Sequence, residues 1–306
     1  MNLDGKVAVV TGSGRGIGRA YARALAEAGC AVIVNDVDAD VAAEAVEAIT
    51  SKGGRAVAEV VPVGSAESAD RLVDRAVEAF GRLDVMCTNA GILRDRVLWN
   101  MSDDDFDLVI ETHLRGTFTC ARAAVRQMRK QNDEAGEGGP KGGRIVVVSS
   151  IAGQRGNFGQ TNYSAAKAGI AAYARTWGME LARFEITANA IVPNALTRMV
   201  ASIPGMGPIV ESAEKGEPIP EVIRKGMGMG LPADVAPLLV FLASDAAKDV
   251  TGQCIGLGGD KLSLWAHPKE VSVAYRDGGW SADDIAQIWH ASVGSQPESY
   301  GVQLPK

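Results

Sequence analysis

Tyr163 and Lys167 stand four residues apart in a run of small and polar residues, 160–169. On a helix that spacing places both side chains on one face, one turn apart. A free tyrosine titrates near ~10, and a cation held beside it favours the phenolate and lowers its pKa. Such a pair could move a proton at neutral pH. A chance pair on a protein surface has the same spacing, so the surrounding sequence must decide between the two.

Ser150 adds a hydroxyl that could join this pair. It ends the run 144–150, whose continuous β-branched residues at 145–148 are typical of a strand buried on both faces. A loop separates this strand from the helix that would carry Tyr163, so the strand end and the helix start can lie side by side. We therefore expect Ser150, Tyr163 and Lys167 to form one catalytic site.

A glycine-rich turn follows the first predicted strand. Residues 7–10 are continuously apolar, residues 11–18 read TGSGRGIG, and residues 19–28 have a helical composition. A strand, a glycine turn and a helix start form a cradle for a pyrophosphate, because small residues let the backbone approach the phosphates at the positive helix end. The residues of this turn that we expect to contact a bound dinucleotide are Gly12, Arg15, Gly16, Ile17 and Gly18.

Asp36 ends the second apolar run, 31–36, about twenty residues after the glycine turn. An acid at this point hydrogen-bonds the adenosine ribose hydroxyls and repels a 2′-phosphate, although Asp36 could also be only a turn or capping residue. Arg15 argues the other way, because a basic residue in the turn could bind a 2′-phosphate. We give Asp36 the greater weight and expect NAD as the cofactor, with NADP as the less favoured alternative.

Strands alternate with helices along the chain, which predicts an α/β fold: a doubly wound, Rossmann-type parallel sheet with helices on both faces. We expect seven strands in a single domain over residues 1–260. Asn89, Ala90 and Gly91 follow the fourth strand. Their small size would leave room for the adenosine side of the cofactor, although an ordinary Asn-x-Gly turn has the same pattern.

The composition disfavours several classes of protein. The 306 residues are 46% hydrophobic and carry a net charge of −6, which argues against a non-specific nucleic-acid binder. No apolar run reaches ~18 residues and no secretory leader pattern opens the chain, so we expect no membrane partner. The four cysteines lie far apart without ligand spacing. We therefore expect reduced thiols, no metal site and a cytoplasmic protein.

Two segments depart from the regular alternation. Residues 200–231 contain four prolines and the run GMGMG. Apolar side chains on a flexible backbone suit a mobile flap over an apolar substrate, but a disordered insertion has the same composition. Residues 261–306 contain Trp265, Trp280 and Trp289, which indicate a C-terminal extension packed on its own domain or on a partner subunit.

The combined motifs resemble the short-chain dehydrogenase/reductase family. The shared residues are the glycine turn at 11–18, the Asn-Ala-Gly sequence at 89–91, and Ser150 followed by Tyr163-x-x-x-Lys167. The resemblance extends over about residues 4–260. It implies an oxidoreductase that uses a nicotinamide dinucleotide, acts on a small-molecule substrate and assembles as a homodimer or homotetramer.

Further segments resemble one branch of that family, the (3R)-hydroxyacyl-CoA dehydrogenase unit of the peroxisomal D-bifunctional (multifunctional) enzymes. These segments lie at 89–96, 113–118, 156–167 and 193–195. The resemblance implies hydride transfer between NAD and a (3R)-hydroxyacyl-CoA, including one with a bulky or steroid-like acyl group. The alternatives are a hydroxysteroid dehydrogenase, a 3-oxoacyl-thioester reductase and, in a different class, a non-catalytic dinucleotide-binding scaffold.

The resemblance also implies a role for individual side chains. Tyr163 would be the general base in alcohol oxidation, Lys167 would lower its pKa and bind the nicotinamide ribose, and Ser150 would hydrogen-bond the substrate oxygen. Pro193 and Thr197 would hold the nicotinamide end of the cofactor.

Three positions depart from the family pattern. His113 replaces the helical Asn of the family's proton relay, so its catalytic role is left open. Val63 follows Pro62 where the family has an acid, so any adenine contact there must come from the backbone. Pro193 is followed by Asn194 where the family has Gly, with one residue fewer before Thr197.

Overall fold

An eight-stranded sheet forms the centre of the computed structural model, which describes residues 1–137, 141–201, 203, 205–298 and 300–301. The strands are β1 (Val7–Val10), β2 (Ala31–Asp36), β3 (Arg55–Val60), β4 (Val85–Thr88), β5 (Gly143–Val148), β6 (Ile186–Pro193), β7 (Cys254–Gly258) and β8 (Lys261–Leu264). Their order across the sheet is 3-2-1-4-5-6-7-8. The first seven run parallel, and β8 pairs antiparallel with β7.

Helices α1 to α10 lie between successive strands of the chain and α11 lies in the tail after β8; helices cover both faces of the sheet. They are α1 (Gly16–Glu27), α2 (Ala39–Thr50), α3 (Ala66–Phe80), α4 (Asp103–Ile110), α5 (Gly116–Ala135), α6 (Ile151–Arg155), α7 (Thr161–Leu181), α8 (Arg198–Ala201), α9 (Gly207–Glu214), α10 (Pro232–Ala243) and α11 (Ala282–Ile288). The predicted doubly wound α/β fold is confirmed.

The predicted number of strands is wrong by one. The chain turns back after β7 through Gly259 and Asp260 and adds β8 to the edge of the sheet. Gly259 has a φ of +53°, a conformation that glycine adopts without steric cost and that a tight hairpin turn requires. The boundary that the sequence suggested after residue 260 therefore falls inside a hairpin.

Two hydrophobic layers hold the helices against the sheet. Successive residues of a strand face opposite sides, so Val9 packs in one layer and Val10 in the other. Helices α3, α5 and α7 cover the Val9 face, and helices α1, α2 and α10 cover the Val10 face. Every residue of β1, β4 and β5 is buried, on both faces of the sheet, which explains their continuous apolar sequences.

A π-helical turn lies between α4 and α5, which otherwise follow each other directly along the chain. Ser102 caps α4 by accepting the Asp105 N–H at 3.2 Å, and a π-helical turn at Glu111–Arg115 then joins α4 to α5. A π turn inserts an extra residue and rotates the side chains that follow. The side chain that it buries here is His113, which is 1% exposed.

The segment predicted as a flap is folded over most of its described length. It contains α8, α9 and a π-helical turn at Val222–Gly226, and it has its own apolar cluster around Leu196 and Val210. The Leu196 N–H donates to the Gly230 carbonyl at 2.7 Å, which fixes both ends of the segment at the carboxyl end of β6.

The three tail tryptophans have different environments. Trp265 packs against the core, and the Arg155 guanidinium lies over its ring, with 5.3 Å between the guanidinium carbon and the ring centroid. Trp280 and Trp289 are 39% and 48% exposed. The Gly301 N–H donates to the Arg155 carbonyl at 2.8 Å, so the described end of the tail returns to α6. Among the described residues, no helix is both long and apolar enough to cross a membrane.

Candidate active site

The carboxyl ends of β1 and β4 meet where the strand order reverses, the point at which open α/β sheets bind ligands. Thr11 and Asn89 join these two ends. The Thr11 hydroxyl accepts the N–H groups of Asn89 and Ala90 at 3.0 Å each. In return, the Asn89 amide donates to the carbonyls of Thr11 and Gly12 at 3.0 Å each. These bonds fix the glycine turn against the neighbouring strand.

The glycine turn forms an open cradle at the N-terminus of α1. Gly12 and Gly16 have φ angles of +61° and +53°. A Cβ at Gly12 would come within 2.7 Å of the Ala90 Cα, whereas a Cβ at Gly16 would point into open space. The first N–H groups of a helix lack intrahelical acceptors and attract anions. The residues here therefore fit a dinucleotide pyrophosphate.

The other residues predicted for this cradle are nearby. A Cβ at Gly18 would lie 2.5 Å from the Asn89 amide nitrogen, so Gly18 lets α1 pack against the turn. Ile17 is half-buried against the apolar layer under α1. Arg15 precedes the first residue of α1 and forms an ion pair with Asp38.

Asp36 lies beside the turn, as predicted. One carboxylate oxygen accepts the Gly14 N–H at 3.2 Å, and the other accepts the Val37 N–H at 2.9 Å. A Cβ at Gly14 would lie 2.7 Å from the first of these oxygens, so only glycine permits this approach. The carboxylate is therefore fixed at the edge of the cradle, where an adenosine ribose would meet it.

Gly91 and Val63 line the neighbouring part of the edge. Gly91 follows Ala90 and packs directly against the His113 imidazole, where a Cβ would collide with the ring. Val63 follows β3 and contacts Gly116 at the start of α5, where a Cβ on Gly116 would lie 3.0 Å from a Val63 methyl.

Ser150, Tyr163 and Lys167 come together next to this edge. Ser150 follows β5 and caps α6, with its hydroxyl accepting the Ala152 N–H at 3.2 Å. Tyr163 and Lys167 lie on the first turns of α7, and the Lys167 Nζ is 5.6 Å from the centroid of the Tyr163 ring. A hydrogen bond from Ser150 favours the phenolate of Tyr163.

The pKa values of this pair differ from the sequence expectation. Burial raises the pKa of Tyr163, and its hydrogen bond with Ser150 lowers it by less. Burial also lowers the pKa of Lys167 to about 7. The Lys167 ammonium donates to the Val148 carbonyl at 2.7 Å, and its charge is not among the causes that shift the Tyr163 pKa. Without a cofactor, Lys167 therefore does not produce the expected decrease in the Tyr163 pKa.

His113 completes the cluster. Its ring meets that of Tyr163 edge-on, and its Nε2 lies 3.0 Å from the Ile92 nitrogen and 2.8 Å from the Ile92 oxygen. Burial, with a smaller contribution from the Lys167 charge, lowers the pKa of His113 to about 3. The imidazole is therefore neutral at physiological pH.

Pro193 and Thr197 lie at the adjacent end of β6. Pro193 is the last residue of that strand and pairs with Leu257. The Thr197 hydroxyl accepts the Val200 N–H at 3.4 Å at the start of α8. Asn194, between them, donates its amide to the Met227 carbonyl at 2.8 Å and so connects this loop to the flap segment.

Sequence reasoning missed several residues that hold the site together. The Asn162 amide donates to the carbonyls of Arg94 and Asp105 at 3.1 and 3.0 Å. The Gln160 amide donates to the Asp95 carboxylate at 2.8 Å. These bonds tie the start of α7 to the loop after β4. Their signal in the sequence is weak. They are polar residues close to Tyr163, but their hydrogen-bond partners lie more than fifty residues away along the chain.

The assembled site can bind a dinucleotide and transfer a proton beside it. The cradle and Asp36 provide for the adenosine and pyrophosphate, and the phenol of Tyr163 lies on the same edge of the sheet. A doubly wound sheet with a glycine turn after β1 and a Ser-Tyr-Lys cluster defines a class of oxidoreductases.

The chain belongs to that class, the short-chain dehydrogenase/reductase family, whose members bind a nicotinamide dinucleotide. A family model described as enoyl-(acyl carrier protein) reductase matches residues 12–259. The chain is also similar to the crystal structure of a short-chain dehydrogenase from Mycobacterium avium, with a TM-score of 0.82 and 35% identity over 99% of both chains.

Three curated relatives are each 40% identical to this chain. One is the hydroxyacyl-CoA dehydrogenase ChsB1 of Mycobacterium tuberculosis, matched over 97% of this chain and 92% of the relative. Another is the mouse peroxisomal multifunctional enzyme type 2, where the match covers 94% of this chain and 37% of the relative. The third is a Synechocystis 3-oxoacyl-[acyl-carrier-protein] reductase, matched over 84% of this chain and 97% of the relative.

Proposed function

We propose that this oxidoreductase uses NAD and reversibly oxidises the hydroxyl of a (3R)-hydroxyacyl-CoA. The observation that carries the proposal is the position of Tyr163, which lies with Lys167 on the first turns of α7, beside Ser150 and the dinucleotide cradle. The proposal explains why three polar side chains converge at the carboxyl end of β5 and the start of α7.

Tyr163 acts on the proton of the reacting hydroxyl. In oxidation its phenolate accepts that proton, and in reduction its phenol returns it to the oxygen. Ser150 donates a hydrogen bond to the same oxygen and orients the carbinol. A bound nicotinamide dinucleotide supplies the hydride acceptor. The contact between Gly91 and His113 holds the imidazole in place beside the Tyr163 ring.

Lys167 binds the nicotinamide ribose and lowers the Tyr163 pKa in the loaded enzyme. In the structure its ammonium is held by the Val148 carbonyl at 2.7 Å and lies 5.6 Å from the centroid of the Tyr163 ring. Ribose hydroxyls can replace part of the water that the buried ammonium lacks, which favours its charged form. Pro193 and Thr197 hold the nicotinamide end.

Asp36 supports the preference for NAD. Its carboxylate is fixed to the glycine turn through the Gly14 N–H at 3.2 Å. An adenosine ribose at this point would offer two hydroxyl donors to an acceptor that is already oriented. A 2′-phosphate at the same point would meet a carboxylate of like charge.

The substrate class is supported by the relatives and by the flap segment. Two of the relatives at 40% identity are named for hydroxyacyl-CoA dehydrogenation or peroxisomal multifunctional activity. The flap packs around its own buried apolar cluster at the carboxyl end of β6, and it also leaves apolar side chains such as Val222 exposed at 60%. An apolar wall of this kind suits a bulky or steroid-like acyl group.

A 3-oxoacyl-thioester reductase is the second candidate. It is supported by the Synechocystis relative and by Arg15 in the glycine turn. A hydroxysteroid dehydrogenase is the third candidate, and oxidation of free hydroxysteroids by the enzyme would support it. All three reactions use the same proton transfer at Tyr163 and differ in substrate, direction and cofactor.

A substrate and cofactor panel separates these candidates. The panel contains (3R)- and (3S)-hydroxyacyl-CoAs of several chain lengths, a steroid-bearing acyl-CoA, free hydroxysteroids and a 3-oxoacyl thioester, each with NAD(H) and NADP(H). We expect the highest kcat/KM for a (3R)-hydroxyacyl-CoA with NAD. A preference for free steroids, for the (3S) substrates, or for NADPH-dependent reduction would reject the proposal.

The assembly and the location are further proposals. Exposed apolar residues of the tail, such as Tyr275 at 92% and Val271 at 67% exposure, support a homodimer or homotetramer in which a partner subunit covers them. Light scattering of the intact chain and of a chain shortened after residue 265 tests this. The cytoplasmic location is tested by cell fractionation.

A further inference from the structure

Arg15 is the only basic residue in the glycine turn at 11–18, and its side chain is directed at a carboxylate. The guanidinium forms an ion pair with one oxygen of Asp38, two residues after Asp36. Both side chains of the pair are partly exposed, at 43% for Arg15 and 41% for Asp38. The pair therefore lies at the rim of the cradle, within reach of a bound ribose.

Asp38 is itself held in place from the other side. Its second oxygen accepts the Val41 N–H at 3.4 Å, which makes Asp38 the N-cap of α2. A capping residue has a restricted rotamer, so the carboxylate is presented to Arg15 rather than being free in solvent. One side chain thus starts a helix and binds the cation of the glycine turn.

The same contact recurs one turn further along α1. Arg19 lies 3.7 Å from the carboxylate of Glu44 and donates to the Glu44 carbonyl at 3.3 Å. The basic face of α1 therefore runs along acidic residues of α2. This arrangement directs the Arg15 side chain towards the start of α2, where Asp38 holds it.

We propose that Asp38 is a second determinant of cofactor choice, because it engages the Arg15 guanidinium that a 2′-phosphate would otherwise bind. The inference rests on the proposed NAD preference and identifies a residue beyond Asp36 that enforces it. Two carboxylates and one guanidinium give the rim a net charge of −1. A 2′-phosphate must displace Asp38 from Arg15 and then remain beside both carboxylates.

The test substitutes Asp38 by Asn, which caps a helix about as well as Asp but carries no charge. Asp40→Asn is the matched control, because Asp40 is an exposed acid in the first turn of the same helix. Dissociation constants for NADH and NADPH are measured by fluorescence titration without substrate. These two cofactors differ only in the 2′-phosphate, so the ratio of the constants isolates its contribution.

We expect Asp38→Asn to lower the NADPH-to-NADH ratio of dissociation constants about threefold, as expected for an exposed ion pair. Asp40→Asn should leave the ratio unchanged. Arg15→Ala combined with Asp38→Asn should cancel the gain, because the released cation is then missing. A rise in NADPH affinity that survives Arg15→Ala would overturn the inference.

Other results would overturn it as well. An unchanged ratio in Asp38→Asn, or an equal change in Asp40→Asn, would show that Asp38 has no specific effect, and the proposed NAD-dependent activity would stand. A wild-type protein that binds neither NADH nor NADPH would overturn both proposals.

Discussion

The imidazole of His113 meets the phenol ring of Tyr163 edge-on, with ring centroids 5.2 Å apart and an interplanar angle of 88°. The same imidazole binds the backbone of Ile92 through Nε2, while its Nδ1 has no partner among the described residues. A neutral imidazole in this position packs against the Tyr163 ring and restricts where the phenol can lie. We therefore propose that His113 positions the phenol and takes no step in proton transfer, which differs from the catalytic role left open by the sequence.

The first prediction concerns the replacement of His113. His113→Ala removes the hydrogen bond between Nε2 and the Ile92 backbone and empties a buried position, which should cost about 1–3 kcal/mol of folding free energy. His113→Asn keeps one donor and one acceptor and should retain activity within about tenfold. The pH profile of kcat/KM between 5 and 8 should have the same shape in wild type and His113→Asn, because the His113 pKa is about 3 in the folded protein. A lost ionisation in the Asn variant would instead indicate a relay through the imidazole.

The second prediction concerns the contact between Gly91 and His113. Gly91→Ala should destabilise the wild-type protein by about 1–3 kcal/mol, because the added methyl collides with the imidazole. The same substitution in a His113→Ala background should cost much less, because the ring is absent. Urea unfolding of the four proteins gives the coupling energy. Additive effects would show that the steric contact is unimportant.

The third prediction concerns the pH dependence of stability caused by Lys167. Burial lowers its folded pKa to about 7, whereas an unfolded lysine titrates near ~10.4. Between these values the unfolded chain binds one more proton, so the free energy of unfolding rises with pH. Relative to Lys167→Met, the wild-type protein without cofactor should gain about 2–3 kcal/mol from pH 6 to pH 9. Urea unfolding at both pH values measures this gain.

Lys52→Met is the control for that experiment, because Lys52 is exposed just after the C-terminal end of α2. Its stability difference from wild type should not vary over the same pH range. A wild-type advantage that falls between pH 6 and pH 9 would contradict the lowered pKa of Lys167.

The fourth prediction concerns the ion pairs that hold the flap. Arg224 donates to Asp260 in the β7–β8 hairpin at 2.7 Å and to Asp234 at the start of α10 at 3.1 Å. Arg224→Gln should increase cleavage of the flap by a glutamate-specific protease and raise KM for the acyl substrate more than it lowers kcat. The expected effect is about twofold to tenfold, as for two exposed ion pairs.

Arg276→Gln is the matched control for the flap, because it removes an exposed ion pair with Asp284 in the tail. It should change neither the cleavage rate of the flap nor KM. Equal effects of the two substitutions would mean that the Arg224 contacts do not hold the flap.

Local patterns in the sequence predicted most of the fold. Continuous apolar runs such as Val7–Val10 indicate strands buried on both faces, and these strands form the parallel sheet. The turn at Gly12 and Gly16 was predictable because its glycines require positive φ and close packing. The position of Asp36 beside the glycine turn was predictable, because it ends β2, the strand next to the one that the turn follows.

Other features depend on contacts between distant residues, and the sequence contains little signal for them. Strand β8 forms because Gly259 and Asp260 permit a hairpin. Its leucines are exposed, so this segment lacks the continuous apolar run that marks the buried strands in the sequence. The raised Tyr163 pKa follows first from burial, and the depth at which a side chain is buried cannot be read from its spacing on a helix. The ion pair between Arg15 and Asp38 depends on how α1 packs against α2.

The central claim is that Tyr163 transfers the proton, and Tyr163→Phe tests it most directly. Removing the hydroxyl should lower kcat/KM for a (3R)-hydroxyacyl-CoA with NAD by roughly 10²–10⁴-fold, the usual contribution of general acid–base catalysis. Tyr173→Phe is the control, because Tyr173 lies on the same helix and stacks on Trp177 at 4.5 Å. The account predicts that Tyr163→Phe binds NADH like wild type and loses turnover, while Tyr173→Phe keeps both. Undiminished turnover in Tyr163→Phe would contradict it.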